Sequence, residues 1–250
     1  MTRFYLDQQM INYHESAGPV REAVAALRAT GATFPFSPAH LEEIAKAHAV
    51  GGGPPLPEQV DNLADISRGM AIMPAVAGPA IVGPEDPWAC LSRVQDNGGR
   101  DRTDLAIAWE RGRILSYVPE AELAEFEKTR NKVRQCQWHE VFSEPIVFEH
   151  IDYMARFLGF RMRLETFQER ERTLATLFDV LNGFGFRAEL NAKRVENRVH
   201  DVSHAIYASY ADVFVTRDRD LREQSKAVFQ FCGIKVAILD YDEFIARAGA

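Results

Sequence analysis

Between residues 192 and 239 the chain alternates helix, strand, helix, strand, and few folds accept that order. Ala192 to Tyr210 carries Val195, Val199, Val202 and Ile206 on one narrow stripe, the spacing of an amphipathic helix. Asp212–Thr216 is a strand by composition, and Leu221 to Phe231 reads as a helix stopped at Cys232-Gly233. Ile234 to Leu239 reads as a buried strand. Two strands joined through a helix run parallel, and a parallel sheet needs helices over its faces. Phe167 to Leu181, ended by Asn182-Gly183, supplies another helix.

The first fifty residues repeat the pattern. Residues 3–7 read as a short strand, Pro19 to Ala29 as a helix with Gly31 after its end, and Thr33–Phe36 as a second short strand. Ser37 has the chemistry of an N-cap, with Pro38 at the first helical position, so a helix is expected from Pro38 to about Val50. Gly51-Gly52-Gly53-Pro54-Pro55 ends it. From there to about residue 165 the pattern is less regular. Helices are expected near 57–69, 119–134 and 146–158, around a Gly/Pro-rich stretch at 78–87. The expected architecture is one α/β domain over 1–250, a parallel doubly wound sheet flanked by helices. Its core is expected at about 1–50 and 166–250, with a mainly helical insertion at about 51–165.

Acidic residues fall where such a sheet would collect them. Asp7 ends the run Phe4-Tyr5-Leu6, and Asp218 follows the run Val213 to Thr216. Glu43 and Asp201 sit on expected helices, Asp201 about 120° from the centre of the valine stripe at 100° per residue. Ligands of open sheets bind beyond the carboxyl ends of the strands. Carboxylates gathered there repel one another unless a hard cation, Mg²⁺ or Mn²⁺, sits among them. The plainer alternative makes Asp7 and Asp218 turn aspartates, Glu43 a solvated helix residue beside Glu42, and Asp201 an exposed helix flank.

The net charge of −7 opposes nucleic-acid binding by the whole surface and leaves room for a local basic track. Lys128, Arg130, Lys132 and Arg134 alternate along one segment and are the candidate phosphate contacts. Arg156, Arg161, Arg163, Arg170 and Arg172 follow, then Lys193, Arg194 and Arg198. Glu125, Glu127, Glu165, Glu169 and Glu171 are interleaved, so a salt-bridged, solvated face competes with that reading. Cys90, Cys136 and Cys232 lack C-x-x-C spacing and fit a reducing compartment. The N-terminal residues hold no apolar stretch of signal-peptide length, and no stretch approaches the ~20 apolar residues that span a bilayer. A cytoplasmic protein with no membrane contact is expected.

The stretch from Asp201 through Thr216-Arg217-Asp218 resembles the C-terminal signature of PIN-domain nucleases: an aspartate on a helix rich in small residues, then a short strand ending in Thr-x-Asp. Tyr5-Leu6-Asp7 is similar to that family's first strand, and Ser37 to Glu43 to its second acidic element. The match covers about 1–50 and 190–245. Gln8-Gln9 replace the small polar residue and asparagine that often follow the first aspartate there. The resemblance implies that Asp7, Glu43, Asp201 and Asp218 form a Mg²⁺/Mn²⁺-binding catalytic quartet that cuts single-stranded RNA, less often DNA. It implies that the Thr216 hydroxyl supports the site and that Asp220 or Glu43 helps orient the water. For toxin members of such a family it implies a cognate inhibitor protein. A homo-oligomer is compatible with the sequence.

Two other readings compete. His200, Asp201 and His204 form a constellation of the kind used by HD-type metal phosphohydrolases, which are all-helical; the expected strands at 212–216 and 234–239 oppose it. His200 and His204 lie roughly opposite the valine stripe, which suggests exposure, although a histidine lining the site and touching a phosphate is a supporting role open to His204. Alternatively the chain keeps the fold and serves as a catalytically silent binding or regulatory module. Ser203 lacks a nucleophile elbow, Cys232 at a helix stop reads as packing, and Gly183-Phe-Gly185 lacks the third glycine of a dinucleotide loop.

Overall fold

The computed structural model describes residues 1–16, 18–51, 53–96, 123–157, 159–188 and 192–249. The chain runs β1 (Phe4–Leu6), α1 (Gln8–Ser16), α2 (Gly18–Ala29), α3 (Pro38–Ala49), α4 (Leu56–Ser67), β2 (Met70–Met73), β3 (Ile81–Pro84) and α5 (Pro87–Asp96). After the undescribed residues come α6 (Leu123–Gln135), a 3₁₀ turn (Val141–Ser143), α7 (Pro145–Phe157), α8 (Phe167–Gly183) and α9 (Ala192–Ala208). The C-terminal part is β4 (Val213–Val215), α10 (Arg219–Phe231), β5 (Ala237–Leu239) and α11 (Tyr241–Ala248).

β1, β4 and β5 form a parallel sheet in the order β1-β4-β5, with Phe4 opposite Val213 and Phe214 opposite Ile238. The expected strand at 33–36 is reduced to two isolated parallel bridges, Arg3 with Thr33 and Phe36 with Ala71. Pro35, between them, has no N–H to give a ladder. This segment still links β1 to the antiparallel pair β2–β3: Phe4 N donates to the Thr33 carbonyl at 2.8 Å and Ile72 N to the Phe36 carbonyl at 2.7 Å. β1 therefore has residues 33–36 on one side and β4 on the other. The direction of winding reverses at β1, and in open sheets the ligand crevice lies at such a reversal, here beyond the carboxyl ends of β1 and β4.

Successive side chains of a strand face opposite ways, and the two faces of this sheet feed two cores. Phe4, Leu6, Val213 and Val215 pack with Met10 and Ile11 of α1, Val24 of α2, Leu41 and Ile44 of α3, and Phe244 of α11. Tyr5 and Phe214 pack with Leu177 and Phe178 of α8, Ala205 and Ile206 of α9, and Val228 of α10. Each large apolar side chain fully buried in this way contributes about 1.5–3 kcal/mol. Residues 51–165 enter both cores: Val60, Leu63 and Cys90 join the first, and Val133, Val147 and Ile151 the second. Besides its helices this segment carries the β2–β3 hairpin. Among the described residues no helix is long and apolar enough to cross a membrane. Burial pushes the Cys136 thiol up to about 11 and the Cys232 thiol up to about 12, so neither is a nucleophile near neutral pH.

Candidate functional site

The crevice is built from strand ends that turn directly into helices. Asp7 follows β1 and accepts the Met10 N–H on Oδ1 at 2.8 Å, capping α1. Asp218 follows β4 and accepts the Leu221 N–H on Oδ1 at 2.8 Å, capping α10. The plain alternative made both turn aspartates; each is instead a helix N-cap, a role that occupies Oδ1 alone. The buried Thr216 hydroxyl joins the two strand ends. It accepts the Asp218 N–H at 3.1 Å, and its interaction with the Asp7 carboxyl lowers that group against burial.

Glu43 arrives on α3, whose first turn is fastened to β1. Ser37 is the N-cap with Pro38 inside the helix, as the sequence suggested. His40 Nε2 donates to the Leu6 carbonyl at 2.8 Å, which leaves Nδ1 to accept the Ser37 N–H at 3.0 Å. Burial first, then the neighbouring His204, lowers His40 to about 3, so the ring is neutral. Glu43 lies one turn further on. Its Oε1 is 3.4 Å from His204 Nε2, a charge contact without the alignment of a hydrogen bond.

His204, 1% exposed, continues the chain of contacts inward. Its Nδ1 is 2.8 Å from the Tyr5 hydroxyl, which is 2.7 Å from Ser37 Oγ. Burial opposes charge on this imidazole, but Glu43, Asp7 and Asp201 outweigh burial and raise it above the ordinary histidine value. A protonated His204 donates from Nδ1 to Tyr5, and Tyr5 then donates to Ser37. The same contacts hold Glu43 below the usual carboxylate range: burial pushes it up, and His204, His200 and His40 overcome burial.

Asp201, on α9, completes the edge. Burial, then Asp218, Glu43 and Asp7, raise it to about 7, against a smaller opposing effect of His204. Burial also raises Asp7 to about 6, with Thr216, Met10 and His204 pulling down and Glu43 pushing up. Asp201 is therefore an electrostatic neighbour of the other three sequence-selected carboxylates, and Asp7 of Glu43. Asp220 is half-buried in the first turn of α10.

The expected exposure of His200 and His204 does not hold. His200 is 7% exposed, and neither of its ring nitrogens has a hydrogen-bond partner. Burial, Lys46 and His204 lower it, with Glu43 in opposition. α9 packs against α3 as well as α8, so the side opposite its apolar stripe is covered too. Tyr5 and His40 were not foreseen as site residues. An aromatic in a strand and a histidine on a helix carry no local mark of a polar chain closed across 199 and 34 residues.

The candidate phosphate contacts on α6 lead elsewhere. Arg130 pairs with Glu127 at 2.9 Å, Lys132 with Glu144 at 2.7 Å, and Arg134 bonds Asn131 at 3.2 Å. Lys128 is exposed. Arg170 stacks on Tyr210 and bonds the Ser209 carbonyl, a packing role. Of Lys193, Arg194, Val195 and Arg198 the helical backbone alone is described; their side chains lie outside the described residues.

All-oxygen donors in a self-repelling group that runs from buried Asp7 through half-buried Glu43 and Asp201 to exposed Asp218 fit a hard divalent cation, which relieves that repulsion. Among the described residues no three His, Cys, Asp or Glu side chains converge closely enough to hold one ion as they stand. No protein-family model, curated protein or solved structure matches this chain.

Proposed function

We propose that the chain is a Mg²⁺- or Mn²⁺-dependent endonuclease that hydrolyses phosphodiester bonds of single-stranded nucleic acid, RNA before DNA. What supports this reading is the electrostatic coupling of Asp201 to Asp218, Glu43 and Asp7 beside a parallel sheet whose strands β1 and β4 end at Asp7 and Asp218, with Asp201 pushed to about 7. The likeness to PIN-domain nucleases adds the reaction class. In this reading the four carboxylates are the ligands. A divalent cation held by them would supply a water of lowered pKa and neutralise charge on the phosphate. Thr216 keeps Asp7 and the Asp218 backbone in register. His204 orients Glu43, and Asp220 or Glu43 orients the attacking water.

A second reading, a catalytically silent binding module, draws support from the failure of any three of these groups to converge among the described residues. Incubation of purified protein with RNA and with single-stranded DNA, in Mn²⁺ or EDTA, separates the two. Cleavage that needs Mn²⁺ and is absent from Asp7→Asn supports the nuclease. No cleavage, together with no Mn²⁺-dependent rise in melting temperature, supports the silent module.

A further inference from the structure

Beside the acidic edge stands a group of side chains with different chemistry. Arg217, the exposed residue between Thr216 and Asp218, lies with its guanidinium 5.0 Å from the Tyr13 ring centroid and 6.0 Å from that of Tyr241. It also donates to the Tyr13 hydroxyl. The two half-buried rings are 5.9 Å apart at 66°. All three come from the same edge of the sheet. Tyr13 is on α1, which leaves β1 at Asp7; Arg217 follows β4; Tyr241 opens α11 after β5.

Two facts set this cluster apart from the arginines of the salt-bridged faces. Arg130, Arg163 and Arg222 each pair with a carboxylate, whereas the partners of Arg217 among the described residues are tyrosines. Asp218 gives one carboxylate oxygen to the cap of α10, and Asp240 caps α11 and pairs with Arg222. An exposed guanidinium beside half-buried aromatic rings has the two attributes that bind a single strand. The cation meets phosphate, and a ring face stacks a base whatever its identity. A duplex offers no free base face, so the same cluster favours unpaired strands.

We infer that Tyr13, Arg217 and Tyr241 form a nucleotide-binding platform, which holds one segment of a single strand next to the bond to be cut. The inference rests on the nuclease reading and names its substrate contact. Binding of a fluorescein-labelled single-stranded RNA of about 12 nucleotides is measured by anisotropy with the full chain in Ca²⁺, and repeated with an abasic strand of equal length. Tyr241→Leu and Tyr13→Leu weaken binding of the base-containing strand about tenfold and leave the abasic strand unchanged. Tyr241→Phe, which keeps the ring, binds like the parent. Arg217→Gln, at an exposed position that tests the platform even where a tyrosine variant fails to fold, weakens both strands and lowers the salt dependence of binding. Equal affinity of parent, Tyr241→Leu and Arg217→Gln overturns the platform and reduces the cluster to a packing staple. If those variants bind equally while Mn²⁺-dependent cleavage persists, the nuclease reading survives alone. A parent protein that neither binds nor cuts any strand removes both.

Discussion

Asp201 binds a proton more tightly in the folded chain than in the unfolded one, about 7 against an ordinary value near 3.8. A raised carboxylate works against stability as pH rises, because the folded state must release a proton it favours. Stability is expected to fall between about pH 4 and pH 7 and then level off. Asp201→Asn removes that loss. In EDTA the variant should exceed the parent by roughly 2–4 kcal/mol at pH 8 and match it near pH 4, read from urea denaturation at both pH values. Equal stability at pH 8 would mean that Asp201 is not in the repulsive group. Tyr5→Phe tests the inner contacts. It strips a hydroxyl from Ser37 Oγ and His204 Nδ1, both buried, and should cost about 1–3 kcal/mol. Asp7 and Asp218 were legible because each ends an apolar run. Tyr5 and His40 were not, because their partners lie far away in sequence and only the closed sheet joins them.

The elements at the crevice do double duty, and the helix caps show how to separate the duties. Asp218 Oδ1 caps α10. Asparagine caps almost as well as aspartate but carries no charge, whereas alanine does neither. Asp218→Ala should lose about 1 kcal/mol and Asp218→Asn little, while both lose cleavage. Full-rate cleavage by Asp218→Asn would leave the residue with its cap alone. Helices with strong stripes or clear ends were readable: Pro38–Ala49, Phe167–Gly183 and Arg219–Phe231 lie close to their expected spans. α1 was not. Its Gln8-Gln9 start has no apolar period, and it is a helix because Asp7 caps it and Met10 and Ile11 reach the core. The strand expected at 33–36 met a local obstacle, Pro35, and kept its position between β1 and β2 through the bonds at Thr33 and Phe36.

At the scale of the whole molecule the open matter is whether residues 51–165 can be removed. The Gly51–Pro55 break reads as a border, and a chain of about 130 residues could in principle close on itself. The packing argues otherwise. One face of the sheet rests on Val60, Leu63, Ile66 and Leu91 along with the N-terminal helices, and the other on Val133, Val141, Val147 and Ile151 along with α8 and α10. Phe36 N bonds the Met70 carbonyl and Ile72 N the Phe36 carbonyl, so removal of the hairpin also uncovers the edge beside β1. Loss of those eight side chains at about 1.5–3 kcal/mol each is as large as or larger than the 5–15 kcal/mol by which a domain is ordinarily stable. Residues 1–50 joined by a short Gly/Ser linker to 166–250 should therefore show no cooperative thermal transition and no near-ultraviolet dichroism. A cooperative melt from that shortened chain would show that the acidic edge stands on a self-sufficient core, with the middle of the sequence an addition to it.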